Sequence, residues 1–149
     1  MVTLVDSIEI NTTPEQVFNC LTNLRSAKDY REWHPDHTEW KWIEGEPFQE
    51  GSVVFCEEYL HGELHRLKFM CTNTVTNELI EYKPLFPWSL IMLSSSFAIE
   101  PESEGVSIFR ATIRFRGLPF IEKVFKSQFG AIRLHMKEEG ENLKKILEG

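Results

Sequence analysis

A small set of histidines and glutamates in this sequence has the types and spacing to act together. The stretch "REWHPDHTEW", residues 31 to 40, sets His34 and His37 around a proline and Asp36. Near the other end, "RLHMKEEGEN" places His135 four residues before Glu139. Residues four apart on a helix stand one above the other, so this pair can reach a single point. A third contribution comes from Glu58 in "VVFCEEYL". Imidazole nitrogens and carboxylate oxygens are the ligand types of zinc or a related divalent ion, with three or four donors and room for water or substrate. His65 adds a spare imidazole, which together with Glu58 offers an acid and a base that work without metal.

Each group also has an ordinary structural reading. The helical pair can be a solvated i,i+4 pair, and the His-Pro-Asp-His turn can be held by Asp36 bonding backbone amides. His65 can be a core or hairpin histidine, and Cys56 and Cys71 small core residues. Convergence decides between these readings, and convergence depends on the elements that carry the residues.

Residues 3 to 10 alternate as a strand, and "NTTPEQVFNCLTN" then supplies a cap at Thr12 or Thr13, Pro14 in the first turn and an apolar stripe through Val17, Phe18 and Leu21. A weaker helical stretch ends in "WHPDH". Strand-like segments follow at residues 38 to 44, 52 to 60, 64 to 76, 78 to 84, 88 to 100 and 105 to 116. From Leu118 to Gly149 the period is helical, which at about 1.5 Å per residue spans roughly 45 Å. The expectation is an α+β helix-grip fold in one domain, residues 1 to 149, with a curved antiparallel sheet wrapped around a long C-terminal helix and an internal cavity.

Strand parity assigns faces. In "VSIFRATIRFR", Arg110, Arg114 and Arg116 share the wet parity, so Phe109, Ala111, Ile113 and Phe115 face the helix. The same test puts Arg66 and Lys68 outside and His65, Leu67, Phe69 and Cys71 inside. The hairpin around "HGE", residues 61 to 63, closes with a two-residue loop at 61-62 or at 62-63. Either loop sets Glu57 against Arg66 or Lys68 on the wet face and leaves Glu58 in the inward row with Val54, Cys56 and Leu60. On the last helix the stripe Phe125, Gln128, Ile132, His135, Glu139, Leu143, Ile146 carries the pair in its middle. A buried carboxylate without a partner is costly, so the pair is either solvated where the helix overhangs the sheet or satisfied by something inside.

Met92, Phe97, Phe109, Phe115 and Tyr30 are the expected walls of an apolar pocket, and the expected partner is a small apolar or aromatic molecule. A formal net charge of -7 argues against nucleic acid, whose phosphates need clustered Lys and Arg. The three cysteines, Cys20, Cys56 and Cys71, lie in apolar stretches and read as reduced thiols of a cytoplasmic protein. The start "MVTLVDSIEI" lacks the pattern of a signal peptide, and no apolar run reaches membrane-spanning length, so membrane insertion is not expected. Tryptophans around residue 40 are expected at the surface, as a lid or a homodimer face.

The opening "IEINTTPEQVFNCLTN", the meander and the final "EEGENLKKILE" resemble the START-like or SRPBCC superfamily, which includes polyketide cyclases, lipid carriers and the birch-pollen-allergen fold. More narrowly, "YREWHPDH" with "HMKEE" resembles the hydrolases of 2,4-diacetylphloroglucinol and phloretin. The resemblance implies a zinc ion held by histidine and glutamate, and cleavage of the carbon–carbon bond between an acyl group and a phenolic ring. It places the helix motif on His135 and Glu139, the strand glutamate on Glu58, and the remaining histidine on His34 or His37. Tyr30 and Tyr59 are the candidates for phenol binding. This chain is shorter than those enzymes and lacks their extra N-terminal part. The broader resemblance implies instead a metal-free ligand carrier or a cyclase.

Overall fold

A computed structural model describes residues 1–60 and 62–149. The chain runs β1 (Val2–Ile10), α1 (Pro14–Thr22), α2 (Ala27–Trp33), β2 (His37–Glu44), β3 (Val53–Leu60), β4 (Glu63–Val75), β5 (Leu79–Pro84), β6 (Met92–Ser103), β7 (Val106–Phe115) and α3 (Pro119–Glu148). The strands form an antiparallel sheet in the order β1-β7-β6-β5-β4-β3-β2, a meander whose last strand is closed by the first. This is the α+β helix-grip architecture, with α3 lying across the concave face and packing mainly on β1.

Local chemistry sets the boundaries. Thr13 is the α1 cap, accepting a hydrogen bond from the Gln16 N–H. Ser26 and Asp29 form a reciprocal capping box at α2. The sixth strand begins at Met92 rather than near residue 88, because "PLFPW" brings prolines that cannot sit in a central strand and Trp88–Leu90 form a 3-10 turn instead. Gly140 lets α3 approach β1 closely, since an added Cβ would stand 3.2 Å from Ile8 Cγ2.

The β3–β4 register pairs Leu60 with Glu63 and Glu57 with Arg66, which selects the first of the two hairpin loops. His61, within that predicted turn, lies outside the described residues. Arg66 and Glu57 form their ion pair on the outer face at 3.4 Å. One expectation is corrected here. The tryptophans of the "REWHPDHTEW" segment are not a surface lid or dimer face, because Trp33 and Trp40 are buried in the core. Their indole N–H groups are spent inside, Trp33 donating to the Glu139 carbonyl at 2.9 Å and Trp40 to the Leu24 carbonyl at 3.1 Å. Ile146, placed in the helix stripe, is exposed.

Candidate metal centre and ligand cavity

The α2–β2 turn, the third strand and the long helix meet at one place. β2 opens at His37, which pairs with Glu58 across the β2–β3 ladder, while Glu58 pairs with His65 across β3–β4. From above, α3 presents His135 and Glu139. Ligand atoms of His37, Glu58, His135 and Glu139 all lie within 4.8 Å of one another. His37 Nε2 is 3.0 Å from Glu139 Oε2, 3.6 Å from Glu58 Oε2 and 3.1 Å from His135 Nε2. His135 Nε2 is 3.4 Å from Glu58 Oε2 and 3.5 Å from Glu139 Oε2. Four ligand atoms bound tetrahedrally at about 2.1 Å stand about 3.4 Å apart, so the donor set fits a zinc-sized divalent ion in both type and spacing.

Surrounding groups orient these donors. His37 is fully buried; its Nδ1 donates to the Tyr30 carbonyl at 2.9 Å, which leaves Nε2 free to face the cluster. The Tyr30 ring stacks on His37 at 3.7 Å, and its hydroxyl donates to Glu58 Oε2 at 2.8 Å. Trp33 stands edge-on to His37 at 5.4 Å. His135 Nδ1 has no partner among the described residues, so that ring is oriented by packing against His34, 4.4 Å away.

Without a metal, charge compensation within the cluster is internal. Burial by itself would lower the His135 pKa, but the carboxylates of Glu139 and Glu58 outweigh it and push it up to about 11. Burial would raise both carboxylates, yet His135 and His37 hold Glu139 and Glu58 below the usual range. The signs give a stability window for metal-free protein. A raised histidine stabilises fully below its unfolded value of about 6.5, and a depressed glutamate above about 4.3. Thermal melts in chelator should therefore peak between these values, decline as pH rises towards 11, and decline again in acid. A flat profile from pH 6.5 to 9 would mean that His135 is not held as an imidazolium.

A cavity of about 320 Å³ opens beside the cluster between sheet and helix. Tyr30, His65, Met92, Phe97 and Phe115 line it, as do Glu58, His135 and Glu139. Three expectations change. Phe109 faces inward but does not reach the cavity, because Phe97 stacks over it at 5.4 Å. Tyr59 points outward at 43% exposure. Of the two histidines left open, His37 joins the four-residue cluster. His34 Nδ1 accepts the Asp36 N–H at 2.9 Å and its Nε2 faces Glu138 at 3.3 Å, so it belongs to a second grouping with Asp36 and His135. His65 is set against Trp88 on the cavity wall, outside both groupings. Tyr82 and Ser95, not anticipated, also line the cavity. Parity in "LIEYKP", where Glu81 and Lys83 alternate with Ile80 and Tyr82, was the signal for the first of them.

No helix among the described residues is long and apolar enough to cross a membrane. No curated protein sequence matches the chain. Among solved structures, the Zhui aromatase/cyclase from Streptomyces sp. R1128 superposes with a TM-score of 0.77 at 10% identity, covering 99% of this chain and 93% of that one. Norcoclaurine synthase from Thalictrum flavum, in complex with dopamine and hydroxybenzaldehyde, gives 0.77 at 10% identity, covering 99% and 86%. The KanY protein gives 0.71 at 19% identity, covering 99% and 98%. At these identities the likeness is one of fold, a sheet that grips a helix around a cavity. The sequence itself matches a family model over residues 1–148, and with that span the chain belongs to the polyketide cyclase/dehydrase and lipid transport family.

Proposed function

We propose that this protein is a divalent-metal-dependent hydrolase of an acylated phenol or related β-dicarbonyl compound held in the apolar cavity. The observation that carries the reading is the spacing of the His37, Glu58, His135 and Glu139 donors, which suits a tetrahedral ion, set in the wall of an aromatic-lined cavity. When bound, a zinc or similar ion would polarise a carbonyl and lower the pKa of water. The chain's own groups then have definable tasks. Tyr30 fixes the tautomer of His37 through its carbonyl and the orientation of Glu58 through its hydroxyl. Trp33, Phe97 and Phe115 exclude bulk water and pack against the ring. Hydrolysis adds water across the bond between acyl carbon and ring carbon. The acyl group leaves as a carboxylic acid and the ring carbon takes up a proton. His65, which faces Glu58 across the sheet and stands outside the donor set, accepts the proton from water and returns one to the ring.

The family favours a second reading, in which the protein is a metal-free cyclase or carrier of a polyketide, lipid or aromatic ligand. In a cyclase His65 and Glu58 act directly as acid and base. Elemental analysis of protein purified without chelator or affinity metal, followed by an acyl-phenol screen, separates the two. About one divalent ion per chain and turnover lost on chelation support the first. Absence of metal after incubation with zinc, with ligand binding or cyclisation intact, supports the second.

A further inference from the structure

His135 has a nitrogen that the chemistry above leaves unused. Its Nε2 faces Glu58, Glu139 and His37, whereas Nδ1 is the one buried side-chain nitrogen or oxygen with no hydrogen-bond partner among the described residues. The residue as a whole is 7% exposed. Whether a metal or a proton sits on Nε2, the ring carries a hydrogen on Nδ1, so the unpaired atom is a donor that lacks an acceptor. Burying such a donor costs free energy, and a metal-ligating histidine almost always gives its second N–H to a carboxylate, a carbonyl or water.

The turn between α2 and β2 holds a carboxylate in reach. His34, Asp36 and His135 form the second grouping, with one ligand atom from each within 4.8 Å of the others. Since Nε2 of His135 is turned to the first cluster, Nδ1 is the nitrogen left to face Asp36. Two other acceptors in this corner are taken: Glu138 faces His34 Nε2 at 3.3 Å, and His34 Nδ1 accepts the Asp36 N–H at 2.9 Å. The Asp36 backbone is thereby anchored, and its carbonyl also accepts the Tyr59 N–H at 2.9 Å. Its side chain is not anchored. The carboxylate is half-exposed and stands 4.0 Å from His34 Nδ1, itself an acceptor here, so a change of rotamer brings it to His135 without moving the turn.

We infer that Asp36 is the positioning residue of His135: its carboxylate accepts the Nδ1–H and fixes the ring so that Nε2 is held towards His37, Glu58 and Glu139. The inference rests on the metal centre proposed above only for its effect on zinc affinity. The hydrogen bond itself needs no ion, because an imidazolium at His135 offers the same N–H.

Proton–nitrogen NMR of histidine-labelled protein, chelated and zinc-loaded, tests the bond, and zinc titration against a competing chelator tests its consequence. Wild-type protein should show a slowly exchanging His135 Nδ1–H resonance in both states. Asp36→Ala should shift or lose that resonance and weaken zinc binding by about ten- to a hundredfold, the range for removing a carboxylate behind a ligating histidine. Asp36→Asn keeps the shape and an acceptor oxygen, so its zinc affinity should fall between those of the wild type and Asp36→Ala, a rescue that a loss of turn structure would not give. An Nδ1–H resonance that stays in place in Asp36→Ala, zinc affinity in that variant within about twofold of the wild type, or no rescue by Asp36→Asn would each overturn the inference. Wild-type protein that takes up no zinc, while its Nδ1–H resonance still depends on Asp36, would sink the metal reading and uphold the bond.

Discussion

Replacing His135 with alanine should reduce metal content from about one ion per chain to none and cut acyl-phenol hydrolysis by at least about a hundredfold. The size follows from its place. His135 Nε2 faces both carboxylates, at 3.4 Å and 3.5 Å, and the His37 ring at 3.1 Å, so its removal takes one of the four donors and the cation that compensates Glu58 and Glu139. Partners that only orient a ligand typically cost ten- to a hundredfold when lost, and a ligand costs more. Because the variant leaves two buried carboxylates facing His37 alone, it also loses stability. Glu139→Gln separates the effects, since it keeps the volume and the helix but removes one anionic donor. It should weaken zinc binding at least about tenfold while the chain stays folded. Zinc titration by calorimetry and turnover before and after chelation provide the measurements. A His135→Ala protein that folds, binds zinc like the wild type or retains chelator-resistant turnover would refute the metal reading. Ligand affinity unchanged in that variant, with no metal in either protein, is the result expected of a carrier.

Much of this site was legible because its residues sit on clean periodicities. The parity of β7 and β4 put Glu58 and His65 inside; the register pairs the two on one face, and both line the cavity. The His-x-x-x-Glu spacing on α3 needed only a helix to bring its members together. The choice between His34 and His37 failed for a physical reason. The β2–β3 ladder slips between His37 and Glu39, and the bulge lets His37 and Trp40 both point into the core, whereas strict alternation would send them to opposite faces. A bulge has no signature in "HPDHTEW", so neither the ligand nor the burial of the tryptophan could be read there. Phe109 illustrates a different limit. Parity reports the face a residue points from and says nothing of what stands in front of it, and here Phe97 does.

Trp33→Ala should cost about 3 to 5 kcal/mol of stability, the range for truncating a buried aromatic. The indole is buried between His37 and Phe97, at centroid distances of 5.4 Å and 5.8 Å. It also joins α2 to α3 twice, donating from Nε1 to the Glu139 carbonyl at 2.9 Å while its own carbonyl accepts the Asn142 side-chain amide at 3.0 Å. Those bonds hold the helical turn that carries Glu139 against the turn that carries His37. Trp33→Phe therefore has a distinct expected outcome. It keeps most of the ring contact and loses one hydrogen bond, a stability cost of about 1 kcal/mol, yet zinc affinity should fall about tenfold because Glu139 is no longer pinned from behind. Chemical denaturation of chelated protein and zinc titration of the same sample read the two effects separately. If Trp33→Phe loses stability and binds zinc unchanged, Trp33 is core packing alone. Tyr30 and the sheet register would then suffice to bring the donors into place, since neither depends on how α3 is tied to α2.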